Sequence, residues 1–508
     1  MIGFSSVFAY FLRPDILLYV LLGAAAGILV GAIPGLSLTM ATALLLSITY
    51  SWETSHALAT IMGVYVVGVF AGAVPAILIN VPGAPSSVVT ALDGYPLARR
   101  GEGYRALRYA AAYSFVGTVF GVLALWIAAR PVTALALRFR PMDYFLLALF
   151  ALTAVGSLTA KSFVKGLIAA CIGLLLSLVG TDAIVGTPRL TFGIRALQGG
   201  INTVPALVGL FGFAEVLRIL ARGGEEAESR RVERGGVKTR EILAHFWHSL
   251  WYSTIGVLIG ALPGAGGPVA SLIAYAQAKR IEKKPSAPFG EGAVEGIVAS
   301  ESANNALIGG ALIPMLTLAV PGDATTAVLL SVFYIHGLRP GPTFLGSDGG
   351  TFALLIAAAL IASVYLLILA RLSIPVLSRL SAVPRRIMMP LVTVLCVVGA
   401  YACSGRLFDV ALMLFFGLLG FALQRRDYPT APVVLGLVLG GMMDRSFRQA
   451  VSLAASEDFP LLAMFSRPLT LILLALTLLA VLSQIPALKN RGRVRQEVER
   501  PVREEGRE

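Results

Sequence analysis

Apolar runs long enough to cross a lipid bilayer recur along this chain, and its charges are confined to short islands between them. A helix rising 1.5 Å per residue needs about 20 apolar residues to span the hydrocarbon core. The clearest runs are residues 16–33, 107–129, 352–370, 407–423 and 468–485. Counting the short or interrupted ones brings the expected total to about 12 transmembrane segments. Of the 508 residues 57% are hydrophobic and 14% charged, whereas a soluble domain carries about a quarter charged residues. A β-barrel would instead show strands of about 10 residues with alternating polarity. The expected fold class is an all-α polytopic membrane protein.

The net charge of +13 does not point to nucleic acid, because the Lys and Arg residues sit between the apolar runs, as the positive-inside rule requires. On that rule the charged linker 221–245 and the basic tail 489–508 are cytoplasmic. The first residues lack the basic n-region of a cleaved signal peptide and read as the approach to the first span. Cys171, Cys396 and Cys403 all fall in apolar segments, where the expectation is buried small hydrophobes with no disulfide framework.

One phrase occurs twice. GILVGAIPG at 27–35 returns as GVLIGALPG at 256–264, an offset of 229 residues. Downstream, Pro75 matches Pro314 and Val81-Pro82-Gly83 matches Val320-Pro321-Gly322 at an offset of 239. Such self-similarity marks a duplicated fold, with membrane repeats at 1–220 and 246–488. The loops suggest that the repeats are inverted. SWETSH (51–56) has no Lys or Arg where its counterpart AKRIEKK (278–284) has four. PLARRGEGYRALR (96–108) has four Arg where HGLRPGPTFLGSDGG (336–350) has one. Matched loops of opposite basic content belong on opposite faces.

Pro34-Gly35, Pro82-Gly83, Pro263-Gly264 and Pro321-Gly322 each interrupt an apolar segment, because proline lacks a donor and glycine accepts unusual dihedrals. Backbone broken inside a membrane is tolerated only where protein satisfies it or a watered cavity meets it. Paired broken helices in the two halves of a transporter point to its binding site. The expected substrate-binding residues around these re-entrant hairpins are Asn80, Ser86, Ser87, Thr90, Asn304, Asn305, Thr325 and Thr326. Hydroxyls just after a break serve equally well as helix caps. Asp323 and Glu301 are the candidates for ion coupling, with sodium or a proton as the ion, although Asp323 has a competing role as a cap for the helix that follows it. Asp93 reads as a cap or terminator beside the basic loop. His245 and His248 lack the further ligands of a zinc site, and neither a Walker lysine nor a nucleophile elbow occurs. No cofactor, metal site or catalytic residue is expected. A membrane scaffold or membrane-embedded enzyme that keeps the fold without transport is the alternative.

At these residues the sequence resembles the large permease subunit of the tripartite tricarboxylate transporters. The blocks that carry the likeness are GAIPGLSLTMATALLL, INVPGAPSSVVTALDGYPLARRGEG, GALPGAGGPVAS, EGIVASESANNALIGGALIPMLTLAVPGDATTAVLL and IHGLRPGPTF. They run in order over nearly the whole chain. The resemblance implies a bacterial inner-membrane protein that works with a small membrane subunit and a periplasmic solute-binding protein. It implies carboxylate uptake driven by sodium or protons. Three positions depart from the family pattern: Ser37-Leu38 stand in place of Gly-Pro, Ser300 in place of Pro, and Asp323 in place of a small residue.

Overall fold

The structure is a computed structural model of the chain, and it describes residues 4–33, 36–81, 83–159, 162–182, 186–222, 237–380, 385–402, 404–455, 462 and 464–482. Pro34, Gly35, Pro82, Cys403, most of the linker and the basic tail lie outside the described residues.

The first half opens with α1 (Phe4–Phe11), α2 (Pro14–Ala32) and α3 (Leu38–Thr49). Next come α4 (Thr54–Ala71), α5 (Ala73–Ile79), α6 (Ser87–Arg99) and the long α7 (Gly103–Ala136). Then α8 (Pro141–Thr159) and α9 (Phe163–Ser177) lead to a two-residue antiparallel pair, β1 (Gly180–Thr181) with β2 (Pro188–Arg189). A rod made of α10 (Thr203–Leu207), a π turn at Val208–Phe213 and α11 (Ala214–Arg222) reaches the linker.

Beyond the linker lie α12 (Thr239–Leu243), α13 (Phe246–Gly260), α14 (Gly266–Ile281), α15 (Val294–Leu318) and α16 (Ala324–Ile335). The chain continues through α17 (Phe344–Ser347), α18 (Gly349–Leu380) and α19 (Arg385–Ala402). It closes with α20 (Leu407–Arg425), α21 (Ala431–Ala454) and α22 (Pro468–Leu482).

Among the described residues, six helical stretches are long and apolar enough to cross a membrane: Pro14–Ala32, Thr54–Ile79, Gly103–Ala136, Thr203–Ala221, Gly349–Leu372 and Leu407–Arg425. Ile127, Leu258, Leu418 and Leu479 point outward with most of their surface uncovered, an arrangement that suits hydrocarbon and not water. The chain is a polytopic helical membrane protein. Cys171 corrects one expectation: it is exposed, not buried. The small residues Gly166, Ala169, Ala170 and Gly173 form the face that α9 packs against α21, which leaves Cys171 on the outward side.

The repeated phrase has a packing meaning. In the first half Gly27 and Gly31 let α2 lie directly on α4. A Cβ on Gly27 would stand 2.8 Å from Val64 O, and one on Gly31 2.8 Å from Gly68 O. In the second half Gly256 and Gly260 press α13 onto α15 at Ala303 O and Leu307 O, the same positions shifted by the two offsets. Gly83 touches Gly31 O and Gly322 touches Gly260 O, each with a would-be Cβ contact of 2.5 Å. Small residues bring helix backbones together where lipid supplies no hydrophobic drive for association.

Contacts between the halves pair off in the same way. Helix α7 packs on α15, and its counterpart α18 packs on α4. Likewise α3 meets α16, and α14 meets α6. This reciprocal exchange places the N-terminal ends of the short helices at two crossings, each built from one helix of either half.

Candidate functional site

The two Val-Pro-Gly segments are built alike. Asn80 closes α5 in the left-handed conformation at φ 56°, and Ala319 closes α15 at φ 57°. Val81 N–H bonds Pro75 O at 3.3 Å and Val320 N–H bonds Pro314 O at 3.2 Å. Proline has no N–H of its own, but its carbonyl accepts the turn that ends each helix. Asn80 is exposed and acts here through its backbone. In the second half the two breaks are stitched together, because Gly264 N–H donates to Gly322 O at 2.7 Å.

At the first crossing, the N-terminus of α6 meets that of α14. Ser86 and Ser87 are 7% and 0% exposed. Asn304 reaches in from α15, and its Oδ1 would stand 2.5 Å from a Cβ on Gly267. That glycine is what lets α14 come so close to the amide. No side chain caps either helix, because the N-cap positions are Ser86, which makes no cap bond, and Ala265, which has no polar group. Ser87 Oγ and Asn304 Nδ2 are buried without a hydrogen-bond partner. An unpartnered buried donor costs about 1–3 kcal/mol. Uncapped helix ends present free N–H groups and the positive end of the dipole. Together these donors fit an anionic oxygen pair.

At the second crossing, α16 meets α3, and here the ends are closed. Ser37 Oγ accepts from Met40 N at 3.0 Å. Asp323 forms a capping box with Thr326: Oδ1 accepts from Thr326 N at 2.7 Å, and Thr326 Oγ1 accepts from Asp323 N at 2.9 Å. Tyr65 OH donates to Asp323 Oδ2 at 3.3 Å, and Thr39 and Thr325 share a hydroxyl–hydroxyl bond of 3.3 Å. The capping role considered for Asp323 is thus the one its Oδ1 fulfils.

A third group lies one helical turn beyond the first crossing. Glu301, fully buried on α15, accepts from Thr90 Oγ1 at 2.6 Å, from Ser114 Oγ at 2.9 Å and from Asn305 Nδ2 at 3.3 Å. Asn305 Nδ2 also donates to Ser114 Oγ at 2.9 Å and to Glu301 O at 3.0 Å. Thr90 Oγ1 is 3.1 Å from Ser300 Oγ. No Lys, Arg or His among the described residues pairs with this carboxylate.

The eight expected substrate residues therefore divide. Ser86, Ser87 and Asn304 share the first crossing. Thr325 and Thr326 line the second, Thr90 and Asn305 serve Glu301, and Asn80 stands on its own turn. Gly83, Pro263, Gly264, Pro321 and Gly322 occupy the interruptions expected of them, while Pro34, Gly35 and Pro82 lie outside the described residues. Tyr65 and Ser114 were not anticipated. Tyr65 is the position matched to Asn304 under the 239-residue offset, and that register could have exposed it.

Asp93 is neither a cap nor a terminator. Fully buried, its Oδ1 accepts the N–H groups of Gly290, Gly292 and Ala293 at 2.8, 2.9 and 2.9 Å, and its Oδ2 accepts Tyr275 OH at 2.9 Å. It pins the loop before α15 to α6. Asp93→Ala is expected to cost on the order of 3 kcal/mol by stranding three backbone donors. A thermal melt in detergent measures this, and an unchanged midpoint would show that the loop holds without the carboxylate. Nearby, His248 pairs with Glu282 at 2.9 Å, which gives that histidine a structural partner.

A lipid-facing helical body with a polar centre built on interrupted helices defines a membrane transport protein. The chain belongs to the tripartite tricarboxylate transporter TctA family, whose model matches residues 17–435. It is similar to an uncharacterized 52.8 kDa protein in the TAR-I ttuC' 3'region of Agrobacterium vitis, 34% identical over 482 residues, which is 94% of this chain and 95% of that one. An uncharacterized protein in the TAR-II ttuC' 3'region of the same organism is 32% identical over 237 residues, covering 46% of this chain and 96% of that protein. No solved structure matches.

Proposed function

We propose that this permease takes up a carboxylate solute by proton-coupled secondary transport across the bacterial inner membrane. In this reading a small membrane subunit assists it and a periplasmic binding protein delivers the solute. The observation that carries the reading is the unpartnered Asn304 Nδ2, buried between two uncapped helix N-termini. The substrate carboxylate sits there, with Ser86 and Ser87 as further donors.

Glu301 is the coupling group. Glu301 is buried and no Lys, Arg or His among the described residues neutralises it, so a proton is the ion this reading assigns to it. Thr90, Ser114 and Asn305 bond its oxygens and hold the side chain in place. An ionised Glu301 one turn from the site would repel a bound carboxylate, so its protonation and substrate binding favour each other.

Asn304→Ala should raise the KM for carboxylate uptake about 10- to 100-fold, the worth of a hydrogen bond to a charged group. Uptake of labelled carboxylates into right-side-out vesicles, with binding protein supplied, measures it. A KM equal to wild type would remove the first crossing from the binding site.

The halves are further proposed to be inverted, with the linker cytoplasmic. Single cysteines at Trp52 and at Lys283 should then react with an impermeant maleimide from opposite sides. Labelling of both from one side would refute the inversion.

A further inference from the structure

The two crossings are equivalent by chain register, yet they are finished differently. Where the second crossing has Ser37 and Asp323 as caps, the same offsets place Gly266 and Ala84 at the first. Neither of those residues has a side-chain oxygen to offer. Where the second crossing has Tyr65 bonded to Asp323, the first has Asn304 with its Nδ2 unpartnered and only 3% of the residue exposed. Both crossings aim two helix N-termini inward, so both are electrostatically suited to an anion. The second already holds one, its own.

We propose that Asp323 is a resident carboxylate that closes the second crossing to substrate, so that the protein selects solutes bearing a single carboxylate and rejects di- and tricarboxylates. This rests on the reading of the first crossing as the substrate site and adds the charge class of the solute. Gly264 stands two residues before α14, Gly322 stands one residue before Asp323, and the two share a backbone hydrogen bond. The N-terminal end of α14 is thus tied to the segment that carries Asp323, and in this scheme a solute anchored at α14 extends toward that carboxylate. A second carboxylate on such a solute would meet a like charge in a poorly hydrated setting, where repulsion between close charges is strong. A hydroxyl, an amide or an ammonium there would instead find an acceptor in Asp323 Oδ2, whose bond from Tyr65 is a long 3.3 Å. Asp323 is a specificity-determining residue in this scheme, and it acts through charge and not through its cap.

The test uses the full chain purified in detergent and follows ligand-induced rise of the melting midpoint. The probes are lactate, 3-hydroxybutyrate, γ-aminobutyrate, succinate and citrate, with sulfate as a control for non-specific anions. Wild type is expected to respond to a monocarboxylate at concentrations at which succinate, citrate and sulfate do nothing. Asp323→Asn keeps an oxygen for the cap and removes the charge. It should bind succinate or citrate about ten-fold or more tighter than wild type does, and Asp323→Ala should shift the same way from a lower starting midpoint. A wild-type preference for succinate or citrate over every monocarboxylate, unchanged in Asp323→Asn, would overturn the proposal while leaving carboxylate binding at the first crossing intact. Equal responses of wild type and Asn304→Ala to every probe would instead overturn the substrate site itself, and this inference with it.

Discussion

Replacing Glu301 by Gln is expected to abolish uptake driven by a proton gradient while leaving exchange of carboxylate across the membrane intact. The amide preserves the volume and keeps one oxygen to accept from Thr90, which bonds the wild-type Oε1 at 2.6 Å. Its NH2 group can donate to the Ser114 hydroxyl that bonds the wild-type Oε2 at 2.9 Å. It cannot gain or lose a proton. Binding of proton and substrate are linked, so each strengthens the other by the same factor, with coupling of this kind reaching about 100-fold. In Glu301→Gln the factor is fixed at its protonated value. Substrate affinity should then no longer depend on pH, and net uptake against a gradient should disappear. Counterflow in proteoliposomes, at matched pH on both sides, separates the two activities. Net proton-driven accumulation by Glu301→Gln would place the coupling ion elsewhere, and loss of exchange as well would make the carboxylate part of substrate binding.

The second large effect concerns folding. A Cβ on Gly309 of α15 would overlap the backbone carbonyl of Gly121 on α7, and one on Gly121 would overlap Ala306 O. Neither contact can be relieved by turning a side chain, because both partners are main chain. Overpacking a tight contact costs about 1–3 kcal/mol even where side chains can adjust. Gly309→Leu and Gly121→Leu should therefore prevent accumulation of a monodisperse protein, since α7 on α15 is the main contact between the halves. Gly441→Leu, with nothing within 4 Å of its would-be Cβ, should accumulate normally. Size-exclusion profiles of the three variants decide the matter. Normal accumulation of Gly309→Leu would mean that the halves are held together by other contacts.

Much of the architecture was legible in order along the chain. A run of apolar residues as long as a bilayer is thick must cross it as a helix, because no other single segment can satisfy its own backbone there. Adjacent Pro-Gly pairs such as Pro263-Gly264 and Pro321-Gly322 interrupt such runs, whereas a lone proline such as Pro131 is carried inside a helix. The repeat was legible because one packing solution, Gly27 and Gly31 beneath α4, was used twice. What could not be read was the partnership of the polar groups. Ser87 and Thr326 occupy matched positions after matched breaks, yet Thr326 completes a capping box while Ser87 Oγ has no partner. Asp93 looked like a helix-end charge, but its partners are backbone amides about 200 positions away.

The sequence by itself therefore determined the class of fold, the breaks and the duplication, since each follows from local chemistry meeting a solvent that cannot hydrogen-bond. Only the tertiary structure decided which crossing keeps unpartnered donors and which has its helix ends capped. That difference depends on Ser37, Tyr65 and Asp323 at one crossing and Asn304 at the other, where Ser37 and Asp323 have no capping counterpart and Tyr65 occupies the position matched to Asn304. Hydrogen-bond satisfaction is a property of the assembled neighbourhood. No run of residues carries it.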